Sequence, residues 1–327
     1  MKRAALILLA CLFAALVGER AGAISRQQDV IRDLRNIFPR PSQFPPNNAL
    51  RPQLGVNNNG NGARTLQPLG PDLGPAPEQE PERVPQGAYP FVVGIIEDGV
   101  RSPQQGYICA GALIAPDWVV TAAHCTFGWE RRWPVDSDPY VLTKTTKLSE
   151  PGPKYPVTQL VPHPDYDPHS LTNDIALLKI DTKGARVGPA IKLEGPSIKS
   201  QLGQIADIVG FGVSNLKLLG RQRSETLQFI QATVRGKSCF VAGNFPMLRG
   251  TGVFCASSLY KYHDTCYRFG GSPLIMRDAK GARYLGGLVS WPAVCPPEQD
   301  KMNAYLDVQH YVPWIKSVIG SDARAVR

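Results

Sequence analysis

Residues Trp118–Cys125 read WVVTAAHC, a short apolar run that ends beside a histidine and a cysteine. Similar runs, bounded by Gly, Pro, Asp or Asn, recur between residues 87 and 319. Short β-branched runs with turn residues between them predict an all-β sandwich or barrel. The sequence shows no alternation of strands and helices, which argues against a parallel α/β sheet. The runs are Tyr89–Ile96, Ala112–Ile114, Trp118–Val120, Ile175–Ile180, Ala206–Gly210, Leu227–Val234 and Tyr284–Val289.

One helix is predicted at the end of this region, over Val308–Ile319. Its apolar residues recur at helical spacing and would form one buried face. They are Val308, Tyr311, Val312, Ile315 and Val318.

Residues 1–85 differ in composition from the rest of the chain. Residues 1–23 combine Lys2 and Arg3, an apolar run and a small-residue site that ends at Ala23, which predicts a secretory signal peptide. A membrane helix, or lipidation at Cys11, is the weaker alternative, since the run is short for a span and continues past Cys11. Residues 24–85 are rich in Pro, Asn and Gly and predict a flexible, disordered segment, which acts as a spacer or carries a docking motif. We expect a folded domain over 86–320, a tail over 321–327, and a secreted or periplasmic protein.

The cysteines favour disulfides. Of the seven present, Cys11 would leave with the signal peptide, so six remain in the exported chain. An even number in an exported protein indicates disulfide pairing, although spacing alone leaves 15 possible connectivities open. A zinc site is the weaker alternative, because the sequence has no C-x-x-C pair.

The formal charge of +9 falls to +7 without the leader, since Lys2, Arg3, Arg20 and Glu19 together carry +2. This charge is scattered, so it favours solubility and attraction to an acidic partner. No basic helix or aromatic platform accompanies it, which argues against nucleic acid binding. We find no cofactor motif and no apolar segment after the leader that would span a membrane.

Several motifs together resemble the chymotrypsin/trypsin family over about residues 86–319. Cys109–Ile114 and Trp118–Cys125 are similar to its histidine block, and His163–Tyr166 with Asn173–Leu178 to its aspartate block. Ser290-Trp291 resembles the strand that borders the substrate, and Tyr311–Ile315 the terminal helix. The resemblance implies two antiparallel six-stranded β-barrels with the site between them. It also implies three disulfides: Cys109–Cys125, Cys239–Cys255 and Cys266–Cys295.

In that family a serine attacks the peptide carbonyl, a histidine takes its proton and an aspartate orients the histidine. His124 matches the histidine and Asp174 the aspartate. The serine block, C-x-G-D-S-G-G-P-L in the family, reads CYRFGGSPL over Cys266–Leu274, so the resemblance puts Gly270 at the nucleophile position. Glycine has no side chain with which to attack.

Three further departures concern activation and the oxyanion hole. Phe269 stands where the family has the acid that pairs with a new N-terminal ammonium, and Arg268 where it has an oxyanion-hole glycine. The family's I-V-G-G sequence is missing too, since residues 83–87 read RVPQG. Loss of both partners is self-consistent, because loss of one alone would leave a buried unpaired charge.

The resemblance assigns substrate binding to Asp264, Ser290, Trp291, Pro292 and Asn303. Asp264 matches the acid of a trypsin-type pocket and would favour Arg or Lys. Asn303 falls where a pocket-wall glycine usually lies and would narrow the pocket. Pro292 has no N–H to offer the substrate backbone.

Three functions follow as hypotheses. The leading one is an exported homologue without peptidase activity that binds or regulates a protein or peptide partner, for example one presenting Arg or Lys. The alternative is an active endopeptidase cleaving after Arg or Lys, with Ser272 or a rearranged loop supplying the nucleophile. The third is a structural extracellular module.

Overall fold

The structure, a computed structural model, describes residues 84–126, 139–215, 225–236, 252–260, 263–291 and 303–325. Contacts divide the chain into two units, Met1–Gln67 and Pro68–Arg327, and every described residue belongs to the second. The expected signal peptide and nearly all of the expected flexible segment lie outside these ranges, as do Cys239, Pro292 and Cys295.

Six antiparallel strands close the first barrel, in the order β1-β2-β3-β6-β5-β4. Most of their side chains are buried, whereas β5 alternates between exposed and buried residues over its first half, as expected of a strand with one face in solvent. The strands are β1 Val92–Ile96, β2 Tyr107–Ala115, β3 Trp118–Thr121, β4 Tyr140–Leu142, β5 Lys154–Pro162 and β6 Ala176–Ile180.

The second barrel is also closed and antiparallel, in the order β10-β14-β13-β12-β7-β9. A separate two-stranded sheet pairs β8 with β11. Closure removes free strand edges from both barrels. The strands of this half are β7 Ile205–Gly210, β8 Val213–Asn215, β9 Gln228–Gly236, β10 Val253–Ser258, β11 His263–Tyr267, β12 Pro273–Arg277, β13 Arg283–Trp291 and β14 Asn303–Asp307.

Helical structure is sparse. A four-residue helix, α1, spans Pro103–Gly106, and 3₁₀ turns span Ala123–Thr126 and Ile198–Gln201. The terminal helix, α2, spans Val308–Ala325. It therefore extends beyond the predicted end at Ile319, since the later residues include Ala323 and Ala325, which have high helix propensity. None of the described helices is long and apolar enough to cross a membrane.

The architecture confirms the predicted fold class of two six-stranded antiparallel barrels followed by a terminal helix. Every apolar run quoted above overlaps a strand. The stretch before β1 is bound to the second barrel as well: Tyr89 donates a hydrogen bond to Asp207 at 3.1 Å, and Arg283 donates to the carbonyl of Ala88 at 2.7 Å.

One predicted disulfide is confirmed, and it joins β2 to the 3₁₀ turn after β3. Cys109 and Cys125 are bonded, with their Cα atoms 6.0 Å apart. Cys255 is also disulfide-bonded, although its expected partner is outside the described residues. The predicted Cys266–Cys295 bond lies outside what the structure describes.

We expect the double substitution Cys109→Ala and Cys125→Ala to lower the free energy of unfolding by about 3 kcal/mol, because it frees a short loop in the unfolded chain. The bridged residues are 16 apart in sequence. Urea denaturation of the processed protein measures this difference. A loss near zero would show that the bond adds nothing to stability.

Candidate functional site

His124 is held in the 3₁₀ turn that follows β3. Its neighbour Cys125 is disulfide-bonded to β2, and the Cys125 N–H donates to the carbonyl of Ala122 at 3.2 Å. The Thr126 hydroxyl donates to the carbonyl of Ala123 at 2.8 Å. Local hydrogen bonds and a covalent bond thus fix the backbone from which the imidazole projects.

Asp174 brings three hydrogen-bond donors together behind that imidazole. One carboxylate oxygen accepts from the backbone N–H of His124 at 2.7 Å, and the other lies 2.8 Å from Nδ1 of the same residue. The hydroxyl of Ser290, on β13, donates to the second oxygen at 2.6 Å. Asp174 is fully buried, so these donors offset the cost of removing its charge from water.

The same carboxylate changes the protonation of His124. Burial alone would lower the pKa of the imidazole, but the charge of Asp174 and its hydrogen bond outweigh this and raise the pKa above 6.5. The side chain remains 31% exposed and faces a cavity of about 260 Å³. His124 can therefore act as a proton acceptor or, once protonated, as a cationic donor.

Gly270 lies directly against this imidazole. A Cβ built on Gly270 would stand 2.6 Å from Nε2 of His124 and 3.0 Å from Sγ of Cys109, closer than side chains normally approach. The Gly270 carbonyl accepts from the N–H of Ala110 at 3.0 Å, which ties this segment to the first barrel. The Gly270 backbone thus lies next to Nε2 at the edge of the cavity, and it offers no hydroxyl.

Gly271 binds the same segment to the second barrel. Its N–H donates to the carbonyl of Val289 at 2.8 Å, and its φ of 69° lies in the left-handed region that favours glycine. A Cβ here would overlap the hydroxyl of Thr121 and the carbonyl of Ala110. Only glycine fits at this junction between the barrels.

Phe269 is 1% exposed and belongs to the apolar core of the second barrel. Its ring fills space left by Gly212, since a Cβ on Gly212 would overlap the ring. Where the resemblance leads one to expect a buried carboxylate, the chain therefore has an apolar side chain in an apolar environment.

Ser272, the second candidate nucleophile, is fully buried. Its Oγ packs against Gly210 on β7, where an added Cβ would overlap it, and it has no hydrogen-bond partner among the described residues. The segment keeps it there, since Ser272 N–H donates to Phe269 and Ser272 carbonyl accepts from Val289, each at 2.9 Å.

Of the predicted substrate-binding residues, the structure describes the side chains of Ser290 and Asn303. Asn303 is buried, and its amide donates to the hydroxyl of Thr265 at 2.9 Å. Thr265 in turn lies 3.3 Å from the hydroxyl of Tyr305 and lines the cavity in front of His124. Asp264 and Trp291 lie on β11 and β13, but their side chains are outside what the structure describes.

In the described part of the chain, the residues placed closely enough to bind a metal are Cys109, His124 and Cys125. Both cysteines are consumed by their disulfide, so neither can supply the thiolate that a metal would bind. This cluster is therefore a disulfide beside a histidine and not a metal centre.

Comparison with known proteins identifies the family. The family model described as trypsin matches residues 80–315. The chain belongs to the trypsin family. Among its relatives, trypsin of Squalus acanthias is 29% identical over 240 residues, covering 72% of this chain and 93% of that protein. Human transmembrane protease serine 11A is 28% identical over 242 residues, and the aligned part is 72% of this chain but only 54% of that protein, about half its length.

Within this trypsin-family fold, the structure brings His124, Asp174 and Gly270 together, and Ser290, which the resemblance assigns to substrate binding, donates its hydroxyl to Asp174. Sequence reasoning missed Tyr107 and Thr265. Tyr107 exchanges hydrogen bonds with Arg268, and Thr265 is the partner of Asn303. Their positions next to the matched motifs, two residues before Cys109 and directly after Asp264, were the available signal.

We expect NMR titration to place the His124 pKa above 6.5. In Asp174→Asn it should fall below 6.5, because burial then acts alone. The His124–Asp174 pair should stabilise the fold fully below the pKa of the unfolded chain and lose this effect as the pH rises through the folded-state pKa. An unchanged pKa in Asp174→Asn would contradict this description of the pair.

Phe269→Asp should lower the free energy of unfolding by about 3–5 kcal/mol at neutral pH, because the new carboxylate would be buried without a partner. The loss should shrink at low pH, since burial raises the carboxyl pKa and protonation removes the charge. Phe269→Leu, the apolar control, should cost about 1–2 kcal/mol at every pH. Denaturation curves at several pH values separate the variants, and a pH-independent loss in Phe269→Asp would show that the carboxylate is not isolated.

Proposed function

We propose that this trypsin-family chain is an exported protein without peptidase activity that acts by binding a protein or peptide in the cleft beside His124. Membership of the family supports a cleft that accepts polypeptide substrates. The sequence of the first 23 residues supports export, as a secreted or periplasmic protein.

The observation that carries the proposal is the position of Gly270. Serine-type hydrolysis needs a hydroxyl whose proton passes to the histidine as the oxygen attacks the peptide carbonyl. Nε2 of His124 instead faces a glycine backbone so close that a Cβ there would stand 2.6 Å away. The histidine and aspartate retain their mutual hydrogen bonds, so the proton acceptor is intact while the attacking group is missing.

The neighbouring residues support the same proposal. A buried carboxylate in this segment would require a cationic partner, and Phe269 requires none because it packs in the apolar core. The segment is instead ordered by hydrogen bonds to Ala110 and Val289. Its conformation thus does not depend on a new N-terminus produced by cleavage.

The alternative of an active endopeptidase using Ser272 requires a large rearrangement. Nucleophile and base need to lie within about 2.6–3.2 Å, whereas Ser272 Oγ is buried against Gly210 on β7. Its two backbone hydrogen bonds would have to break for it to reach His124.

The proposed binding specificity rests on Asp264 and Asn303. Asp264 favours a basic side chain by resemblance to trypsin-type pockets. Asn303, buried and bonded to Thr265, supports a pocket that is narrower than one walled by glycine. The partner is therefore proposed as a protein or peptide, with Arg or Lys as the first side chains to test.

We expect a fluorophosphonate probe to leave the processed protein unlabelled, because such probes report an activated hydroxyl. Mass spectrometry locates any adduct, and an arginyl peptide substrate tests hydrolysis in parallel. An active trypsin is the positive control, and Ser272→Ala is the matched variant. An adduct at Ser272 that disappears in Ser272→Ala would establish the endopeptidase alternative.

A further inference from the structure

The cavity in front of His124 has basic but no acidic side chains among its described lining residues. The ionisable side chains among its described lining residues are His124 and Arg268, both basic. Asp174 is fully buried behind the imidazole and already accepts three hydrogen bonds. The hydroxyl of Ser290 is committed to that carboxylate. A ligand in this cavity therefore meets the cationic Arg268, a histidine that becomes cationic on protonation, and no exposed carboxylate among the described lining residues.

Arg268 is fixed at the rim of the cavity by Tyr107. Its guanidinium donates to the backbone carbonyl of Tyr107 and lies over the Tyr107 ring, 5.5 Å from the centroid. In return, the Tyr107 hydroxyl donates to the carbonyl of Arg268 at 3.2 Å. Tyr107 is fully buried, so this reciprocal pair anchors the arginine to the core of the first barrel.

Most of the donor capacity of Arg268 remains available. A guanidinium has five N–H groups in a fixed planar fork, and the described residues provide one acceptor, the carbonyl of Tyr107. Such a fork binds a carboxylate in a two-point geometry that a lysine cannot match. Because the stacking on Tyr107 already restricts the side chain, little further conformational entropy is lost when a ligand binds.

His124 supplies the second donor. Nδ1 is bound to Asp174, and the described contact of Nε2 is the disulfide sulfur of Cys125 at 3.6 Å, a weak acceptor. Asp174 raises the pKa of the ring and so favours the imidazolium form, in which Nε2 carries a proton. An imidazolium N–H beside an open cavity is best matched by an anionic oxygen.

We propose that this cleft binds the carboxylate at the C-terminal end of a peptide chain, with Arg268 and Nε2 of His124 as its cationic contacts. This inference rests on the proposed function, because it takes the cleft as the place where a polypeptide lies. A chain that ends opposite His124 presents a carboxylate where an uncut chain presents a neutral amide. The ligand class is thus a polypeptide already cut by another peptidase, bound by its new end.

Fluorescence polarisation with labelled peptides tests the proposal on the processed full chain. Two peptide sequences, one ending in alanine and one in arginine, are each compared as the free acid and as the C-terminal amide. In at least one pair the acid should bind about tenfold or more tightly than the amide, the effect expected of a charge-assisted hydrogen bond. A third amide with aspartate as its last residue offers a carboxylate on a side chain.

Variants assign the contacts. Arg268→Gln and His124→Gln should each reduce the affinity for the acid about tenfold and leave the affinity for the amide unchanged. Arg277→Gln is the matched control, since Arg277 is exposed at the end of β12 and lies outside the cavity lining. Its affinities should equal those of the unmodified protein, and circular dichroism checks that every variant is folded.

The outcomes distinguish failure of this inference from failure of the proposed function. Equal affinity for acid and amide in both pairs, no measurable binding of either acid, or an unchanged preference in Arg268→Gln and His124→Gln would overturn this inference. Binding of the aspartate amide as tightly as the acid would overturn the assignment to a chain end. Mass spectrometry of the recovered peptides is the separate readout, because shortened peptides would overturn the proposed function itself.

Discussion

Asp174 and the donors it holds together set the geometry of the whole cleft. Asp174 lies two residues before the start of β6 in the first barrel, and its carboxylate binds both the backbone and the ring of His124. Through Ser290 it also binds β13 of the second barrel. A buried carboxylate that lost these donors would be strongly destabilising, so each contact constrains the others. Nε2 of His124 consequently points toward the segment containing Gly270. The chemistry of the cleft then depends on which groups that segment presents to Nε2.

Three of the departures from the family motif, at Arg268, Phe269 and Gly270, fit one another. Arg268 exchanges hydrogen bonds with Tyr107, Phe269 fills the space beside Gly212, and Gly270 allows the backbone to approach His124. Each departure is accompanied by contacts that stabilise it. This mutual fit supports a segment that is ordered without an activating ion pair, and with it the proposal of a cleft that holds a polypeptide without cutting it.

The fold was predictable from the sequence to the extent that each strand is apolar along its length. The quoted runs all overlap strands, but β4, β5 and β14 carried weaker signals. β4 has three residues, β5 includes an exposed Lys154 and Pro156, and β14 begins with Asn303 and ends with Asp307. These strands form because neighbours in a closed barrel supply their hydrogen bonds, which is information that a local pattern does not contain.

The site was predictable only where a known motif covered it. His124 and Asp174 are 50 residues apart, and the resemblance alone brought them together before the structure did. The contacts of Arg268 with Tyr107, 161 residues away, and of Asn303 with Thr265, 38 residues away, fall outside the matched motifs. The first depends on how the two barrels meet and the second on how β11 approaches β14, so they could be found only from coordinates.

The most direct measurement is an atomic-resolution crystal structure of the processed protein, read at a single distance. We expect the Gly270 backbone to lie next to Nε2 of His124 and Ser272 Oγ to stay buried beside Gly210. A serine hydroxyl found within hydrogen-bonding distance of Nε2, about 2.6–3.2 Å, would contradict it.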